Sequence, residues 1–370
     1  MSFFGTESYQ HGLPSPIGIL LTNVGTPAAP TVKAVRPYLA EFLSDKRIIE
    51  MPGWQWQPVL HGVLLNTRPR KSAQLYQRVW TEAGSPLLLM LERQAKALQA
   101  YFDKTAPIPI KVSYGMRYGQ PSISNTLREL HMAHVRRLLV LPLFPQYSAT
   151  TTATSLDAVF AELQTWRWLP ELRTINHYHD HPGYIQAIAN SIREQWAKTG
   201  QPQRLLFSFH GIPKSYFLAG DPYFCECQES ARLIAEELEL PDDMWFVSFQ
   251  SRLGRQEWLR PYTDETLKAW GSEGLQHVDA VCPGFSADCL ETSDEVGHEG
   301  KLSFQEAGGG QFNYIPALND RADHIQALAN IINDNLQGWL TPPQTNPQLL
   351  ARVQIQRQKF ENIPPKKVTT

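Results

Sequence analysis

Cysteine is scarce in this chain. Cys225, Cys227, Cys282 and Cys289 are the only four in 370 residues, too few and too clustered for a disulfide framework at this length. They read as reduced thiols, and Cys225-Glu-Cys227 lacks the two-residue gap of a zinc knuckle or redox pair. Long apolar runs are missing as well: none approaches the roughly 20 residues of a membrane span. Met1 to Pro16 is polar and turn-rich, without the basic start and apolar core of a secretory signal, so the cytoplasm is the expected location. There is no excess of positive charge either. The net charge is -2 and no basic stripe appears, which argues against nucleic acid as a partner. The glycine fingerprint of dinucleotide binding and the P-loop pattern are both absent.

What is present is a globular composition, 42% hydrophobic and 19% charged, in a chain long enough for two domains, each with its own core. Strand-like runs alternate with helical ones, as in a parallel sheet with helical crossovers. Strands are expected at Ile17 to Val24, Ile110 to Met116, Arg137 to Leu143, Leu205 to Phe209, Trp245 to Phe249, His277 to Val281 and Phe312 to Ile315. Helical periodicity covers Val32 to Leu43, Leu87 to Phe102, Ile123 to His134, Tyr184 to Ala197, Glu229 to Leu238 and Asp320 to Leu336. The halves rhyme, since each opens on a hydrophobic strand that runs into a polar loop with Gly and Pro. Asn23-Val-Gly-Thr-Pro27 and Ser208-Phe-His-Gly-Ile-Pro213 are the two openings. The expected fold is therefore α/β, two Rossmann-like domains, each a parallel sheet flanked by helices, with the active-site cleft between them. The first spans 16–175 and includes a segment at about 50–85; the second spans 176–318. A helix within 319–340 packs back on the body, and 341–370 forms a tail.

The densest chemistry lies in Cys282-Pro-Gly-Phe-Ser-Ala-Asp-Cys-Leu-Glu-Thr-Ser-Asp-Glu-Val-Gly-His-Glu-Gly300. Read as an α-helix at about 100° per residue, it places Asp288, Glu291, Glu295, His298 and Glu299 within roughly one third of the circumference. Like charges at i and i+4 destabilise a helix by a few tenths of a kcal/mol per pair, and an internal Gly297 adds about 1 kcal/mol. A solvated acidic face is the plain alternative. Against it, the opposite face is only weakly apolar, chiefly Leu290 and Val296. The helix also follows a buried strand and a Pro-Gly turn, which puts it at the carboxyl end of a sheet, where open α/β sheets bind ligands. A carboxylate ladder there suits cations or protons.

His210 ends another buried strand, just before Gly-Ile-Pro forces a turn, and a neutral imidazole there can accept a proton or bind a transition metal. Arg117 and Tyr118 close Tyr114-Gly-Met-Arg-Tyr118 at a third strand end. Pro145-Gln-Tyr-Ser-Ala-Thr-Thr-Thr-Ala-Thr-Ser155 is a hydroxyl-rich loop capping a helix. Glu50 to Arg70 mixes Trp54, Trp56 and Leu60 with prolines. It reads either as a core helix with a ragged start or as an apolar lip that can cover a flat greasy ligand or touch a bilayer.

Taken in order, several stretches are similar to one family. They are Gly18-Ile-Leu-Leu-Thr-Asn-Val-Gly-Thr-Pro27, Gly84-Ser-Pro86, Met116-Arg-Tyr118, Phe144-Pro-Gln-Tyr-Ser148, Ser208-Phe-His-Gly-Ile-Pro213, Gly220-Asp-Pro-Tyr223, Phe249-Gln-Ser-Arg-Leu-Gly254 with Trp258, and Cys282-Pro-Gly-Phe-Ser-Ala-Asp-Cys-Leu-Glu291. The chain resembles the ferrochelatases, lyases that insert Fe(2+) into protoporphyrin IX to make protohaem in the last step of haem biosynthesis. The resemblance runs from Ile17 to about Leu318 and implies a chelatase-type fold. It makes His210 and Glu291 the metal site with Asp288 in support, and Glu295 and Glu299 an acidic path on a helix that carries a π-type distortion in relatives. It implies porphyrin contacts from Asn23, Val24, Arg68, Ser85, Arg117, Tyr118 and Trp258, with Arg68 and Ser85 as propionate anchors.

The implied partners are protoporphyrin IX and ferrous iron, the iron being a substrate, so that no resident cofactor is required. Val24 and Cys289 stand where many relatives have methionine and histidine. No cysteine follows Cys289, so the C-terminal ligand set of relatives with a [2Fe-2S] cluster is missing and such a cluster is not expected. A coproporphyrin III ferrochelatase would share the fold but take a ring with four propionates. A non-catalytic porphyrin or haem carrier would share the cleft and leave the acidic ladder without a use.

Overall fold

The computed structural model describes residues 3–5, 15–252, 254, 256–341, 351–352, 355–356 and 358–360; most of the expected tail lies outside the described residues. Among the described residues, eight strands form two parallel sheets of four. The first holds β1 (Ile17–Thr26), β2 (Ile110–Gly119), β3 (Arg137–Pro142) and β4 (Glu171–Thr174) in the order β2-β1-β3-β4. The second holds β5 (Arg204–His210), β6 (Trp245–Gln250), β7 (His277–Val281) and β8 (Gln311–Ile315) in the order β6-β5-β7-β8. Counted from its own first strand, each half has the same order, which is the internal rhyme seen in the sequence. Winding reverses between the first and third strands of each sheet, and the loops leaving their carboxyl ends diverge there to open a crevice.

Parallel neighbours need long crossovers, and these are helical. The helices are α1 (Val32–Leu43), α2 (Gly53–Val59), α3 (Leu65–Val79), α4 (Pro86–Thr105), α5 (Ile123–Met132), α6 (Thr154–Leu163), α7 (Pro182–Thr199), α8 (Lys214–Leu218), α9 (Tyr223–Glu237), α10 (Thr263–Ser272), α11 (Lys301–Glu306) and α12 (Ala322–Asn335). Three π-helical stretches interrupt them, at Leu60–Leu64, Ala149–Ala153 and Leu290–Gly300.

Alternation along the strands sends side chains to two layers. Leu20 and Val140 point to one face of the first sheet and pack with Ile123, Leu127 and Val159 of α5 and α6. Leu206 and Val278 do the same in the second sheet with Leu267, Val296 and Phe304. The opposite faces do not form two separate cores. Ile19, Leu21 and Leu139 of the first sheet join Leu205, Phe207 and Phe209 of the second in one continuous cluster with Leu91, Ile188, Ala231 and Leu328. The expectation of a separate core per half is thus corrected: helices α4, α7, α9 and α12 are shared filling, and helix α12 lies against α7 and α4.

Three local differences from the sequence reading bear on the site. Strand β1 runs two residues further, because Gly25 takes φ 115 and lets the Tyr118 carbonyl approach to where a Cβ would sit. Strand β2 runs on to Gly119, so Arg117 and Tyr118 lie within its last turn of pleat rather than beyond it. Strand β4, four residues at the sheet edge, was not expected; it pairs Arg137 to Val140 with Glu171 to Thr174.

Candidate active site

His210 is the last residue of β5 and Gln250 the last of β6, and the two are register partners. The Nδ1 of His210 lies 2.6 Å from the Gly211 carbonyl. A carbonyl can only accept, so Nδ1 carries a proton, and in the neutral form of the ring the lone pair sits on Nε2. Trp258 stands beside the imidazole with ring centroids 6.5 Å apart. Its approach depends on Gly211, where a Cβ would come within 2.9 Å of the Gln250 carbonyl and 3.2 Å of the Trp258 ring.

The acidic stretch starts after β7, across the switch point from His210. It is not the α-helix expected from the spacing. Leu290–Gly300 is π-helical throughout, and its wider turn answers both unfavourable features of the sequence, the stacked glutamates and the internal glycine. At Gly297 a Cβ would press to 3.3 Å of the Tyr314 ring.

Asp288 is corrected more sharply, since it precedes the helix and does not share a face with the glutamates. Its carboxylate accepts from Thr292 Oγ1 at 3.0 Å, Tyr314 OH at 2.7 Å, the Ala317 amide at 3.2 Å and Asn319 Nδ2 at 2.8 Å. Three of these bonds reach Oδ1 and one reaches Oδ2, and together they tie the carboxylate to the start of the helix.

Glu291 is held through its backbone: Gln250 Nε2 donates to the Glu291 carbonyl at 2.6 Å. Its charge is felt by Tyr38 of α1 and Tyr76 of α3. Burial first, and the charge of Glu291 with it, pushes the Tyr38 phenol up, and Tyr76 follows for the same reasons. Burial and Glu291 likewise raise the Cys289 thiol. Both phenols and the thiol therefore stay protonated around this carboxylate.

Glu295 accepts from the Ser251 amide at 2.7 Å and from Ser251 Oγ at 2.5 Å. Burial raises its carboxyl above the usual range; Ser251 and the charge of His210 oppose the shift, and Glu291 adds to it. These mutual influences put His210, Glu291 and Glu295 in one electrostatic neighbourhood. Glu299 and His298 lie at the exposed end of the helix. There Arg78, from the last turn of α3, is 2.5 Å from Glu299 and 3.4 Å from the buried Asp294. Arg78, Val79, Pro86, Ser293, Asp294 and His298 line a cavity of about 430 Å³.

Arg117 and Tyr118 converge on a residue the sequence reading passed over, Asp45. Tyr118 OH donates to Asp45 Oδ2 at 2.8 Å, Thr154 Oγ1 donates at 2.5 Å, and Arg117 pairs with the same oxygen while its Nε holds Thr154 at 2.7 Å. Burial works against the Asp45 charge, but hydrogen bonds from Thr154, the Arg47 amide and Tyr118, with the Arg117 charge, hold the carboxyl below its usual range. Tyr118 is fully buried.

Asn23 and Val24 lie near the carboxyl end of β1; the Asn23 side chain accepts from the Val24 amide at 2.8 Å. Ser85 is buried at the start of α4, directly before Pro86. Arg68 is exposed on α3 without a partner among the described residues. The lip is a surface helix rather than a core one. Leu60 and Leu65 pack under it with Leu43, and Trp56 Nε1 donates to the Leu43 carbonyl at 2.6 Å. Trp54 is 77% exposed, with Val59 and Val63 beside it.

Gln250, Ser251, Asp45, Arg78, Asp294, Tyr38 and Tyr76 are functional neighbours the sequence reading missed. Gln250 and Ser251 lie inside the quoted Phe249-Gln-Ser-Arg stretch and could have been found there. The others reach the site only through folding. The cysteines are unpaired, with Cys225 exposed and the other three buried. Among the described residues no helix is long and apolar enough to cross a membrane.

A family model described as Ferrochelatase matches residues 16–336. The ferrochelatase of Thioalkalivibrio sulfidiphilus is 52% identical over 347 residues, covering 94% of this chain and 93% of the relative. That of Nitrosococcus oceani is 50% identical over 339 residues, covering 92% of each. Among solved structures, SirB from Bacillus subtilis with Fe3+ superposes with a TM-score of 0.50 at 12% identity, covering 69% of this chain and 92% of that one, a likeness of fold alone. The chain belongs to the ferrochelatase family of porphyrin metal chelatases.

Proposed function

We propose that this protein inserts Fe(2+) into protoporphyrin IX, with His210 as the acceptor of the pyrrole protons. The observation that carries this reading is the contact of His210 Nδ1 with the Gly211 carbonyl at the end of β5. With Nδ1–H given to the Gly211 carbonyl, Nε2 is the nitrogen of the neutral imidazole that can take a proton from a ring held between the two sets of strand ends. Metallation releases two protons for each Fe(2+) bound, and the site must take them up while the ion sheds water. Holding the ring bent would expose its nitrogen lone pairs, the strain being offset by contacts along the rest of the macrocycle.

The raised carboxyl of Glu295 suits it to take protons from His210, with Glu291 tuning both. Glu299 hands them to solvent. Protons fit this path better than iron, because Arg78 places a fixed cation on Glu299 and beside Asp294 at the outer end. Iron then enters on the Arg117 and Tyr118 side. Asn23, Val24 and Trp258 line the ring, and Arg68 and Ser85 bind propionates. The exposed Trp54, Val59 and Val63 favour the less charged protoporphyrin over a ring with four propionates, and suit the lip to peripheral membrane contact.

Absorbance of protoporphyrin IX under anaerobic Fe(2+) tests the reading. His210→Ala should lower the insertion rate by about 100-fold or more, and near wild-type turnover removes the proposed role. Coproporphyrin III, assayed in parallel, should be metallated more slowly; faster turnover reverses the substrate assignment.

A further inference from the structure

His177, His179 and Asp180, in the connection between β4 and α7, are unused by the porphyrin reading. Among the described residues theirs is the one group of three histidine, cysteine or carboxylate side chains whose ligand atoms all lie within 4.8 Å of one another. The Nδ1 atoms of His177 and His179 are 3.0 Å apart. Two bare lone pairs would repel at that separation, so either a proton or a cation lies between the two nitrogens. A tetrahedral ion with metal–nitrogen bonds of about 2.0–2.1 Å holds two imidazole nitrogens about 3.3 Å apart, close to this spacing.

The surroundings are those of a ligating histidine. His179 Nε2 lies 3.1 Å from Glu229 Oε2; with the proton there, its Nδ1 lone pair turns toward His177, the carboxylate–histidine pairing that fixes a ligand's tautomer. The backbone is pinned as well. Ser230 Oγ donates to the His179 carbonyl at 3.0 Å, Gln146 holds Ser230 at 2.8 Å, and the Tyr178 amide donates to the Pro145 carbonyl at 2.9 Å. Glu226 stands 3.5 Å from His179 Nδ1 and 3.9 Å from His177 Nδ1, within reach as a fourth donor. The His179 side chain is 5% exposed, while His177 and Asp180 are open to solvent, which gives a rigid inner ligand and an entry path. The next histidine, His181, is engaged elsewhere, its Nδ1 accepting from the Gly183 amide at the start of α7.

We infer that His177, His179 and Asp180, with Glu226, form a second site for a divalent transition-metal ion, separate from His210. Two imidazoles with carboxylates suit Zn(2+), Co(2+) or Fe(2+) rather than Mg(2+) or Ca(2+). Because the histidines follow β4 of the first sheet and Glu226 belongs to α9 beside the second, a bound ion would tie the two halves together and raise thermal stability.

Equilibrium dialysis of the porphyrin-free full chain against Zn(2+), with Co(2+) absorption as a geometric readout, tests the site. His177→Ala with Asp180→Asn should lose one bound ion per chain, the tetrahedral Co(2+) bands and the metal-dependent rise in Tm, with at least a tenfold loss of affinity. His210→Ala with Glu291→Ala should keep all three. Both replaced ligands of the first variant are exposed, so its fold should survive, and unchanged Tm without metal checks this. The inference is overturned if the His177 variant binds as many ions as wild type with affinity within twofold. It is equally overturned if wild type binds no ion beyond those lost in the His210 variant.

Discussion

Gln250 links the two sides of the site: it is the register partner of His210 across β5 and β6, and its Nε2 donates to the Glu291 carbonyl at 2.6 Å. Its Oε1 accepts from the buried Ser208 Oγ at 2.6 Å. One amide thus fixes the first turn of the acidic helix relative to the end of the histidine strand. Gln250→Leu should destabilise the fold by about 2 kcal/mol, since both partners lose a buried hydrogen bond. It should also lower the insertion rate by about 10- to 100-fold through misplacement of Glu291. Denaturant midpoints and steady-state rates on the same variant separate the two effects.

Glu295 gives the site a pH signature. Burial raises its carboxyl, and Ser251 and His210 partly restore it. A carboxyl raised in the folded state keeps its proton over a range in which the unfolded chain has lost it. The stability it contributes is therefore present at low pH and fades as pH rises through the raised value. Glu295→Gln is neutral throughout, so its stability relative to wild type should increase with pH across that window while turnover falls. Ser251→Ala removes a bond to the charged form and should move the acidic limb of the rate profile upward. Thermal melts from about pH 4 to pH 8, with rate profiles, check both signs.

How much of this was legible depended on range. Strand β1 announced itself because Ile17 to Leu21 is apolar on both faces, as a central parallel strand requires. His210 could be placed at a strand end because it closes such a run just before a turn, and Glu291 because it follows a run and its turn. Strand β4 could not: Glu171-Leu-Arg-Thr174 is short, polar and half-exposed, and only the ladder to β3 makes it a strand. Local spacing alone gives the 290–300 helix the α period; the π-type distortion came only from the resemblance, and the structure shows it, with Gln250 holding the Glu291 carbonyl from outside the helix. Asp45 was invisible for the same reason, its partners Arg117, Tyr118 and Thr154 being over 70 residues away.

Arg78 joins the lip helix α3 to the acidic helix through two carboxylates of different exposure. Removing it should cost more than removing Glu299, because Glu299 returns to water while the buried Asp294 is left uncompensated. Arg78→Ala should therefore lower Tm further than Glu299→Gln and speed amide exchange across 290–300. Equal shifts for the two variants would reduce the contact to an ordinary surface pair.

Asp288 and His210 should separate cleanly by kind of defect. The four hydrogen bonds that Asp288 accepts come from Thr292, Tyr314, Ala317 and Asn319, all on the structure that starts the acidic helix and closes β8. Asp288→Ala leaves Tyr314 and Asn319 with unpaired donors, a loss of about 2–4 kcal/mol, and Asp288→Asn, which can still accept but carries no charge, should lose less. His210→Ala removes a half-buried ring hydrogen-bonded to its neighbour's carbonyl, so stability should barely move while turnover collapses. Urea midpoints and rates for the three variants decide the matter: Asp288→Asn with a full melting temperature and no activity would return that carboxylate to the chemistry, whereas a low midpoint with activity recovered at low temperature fixes it as the anchor of the helix.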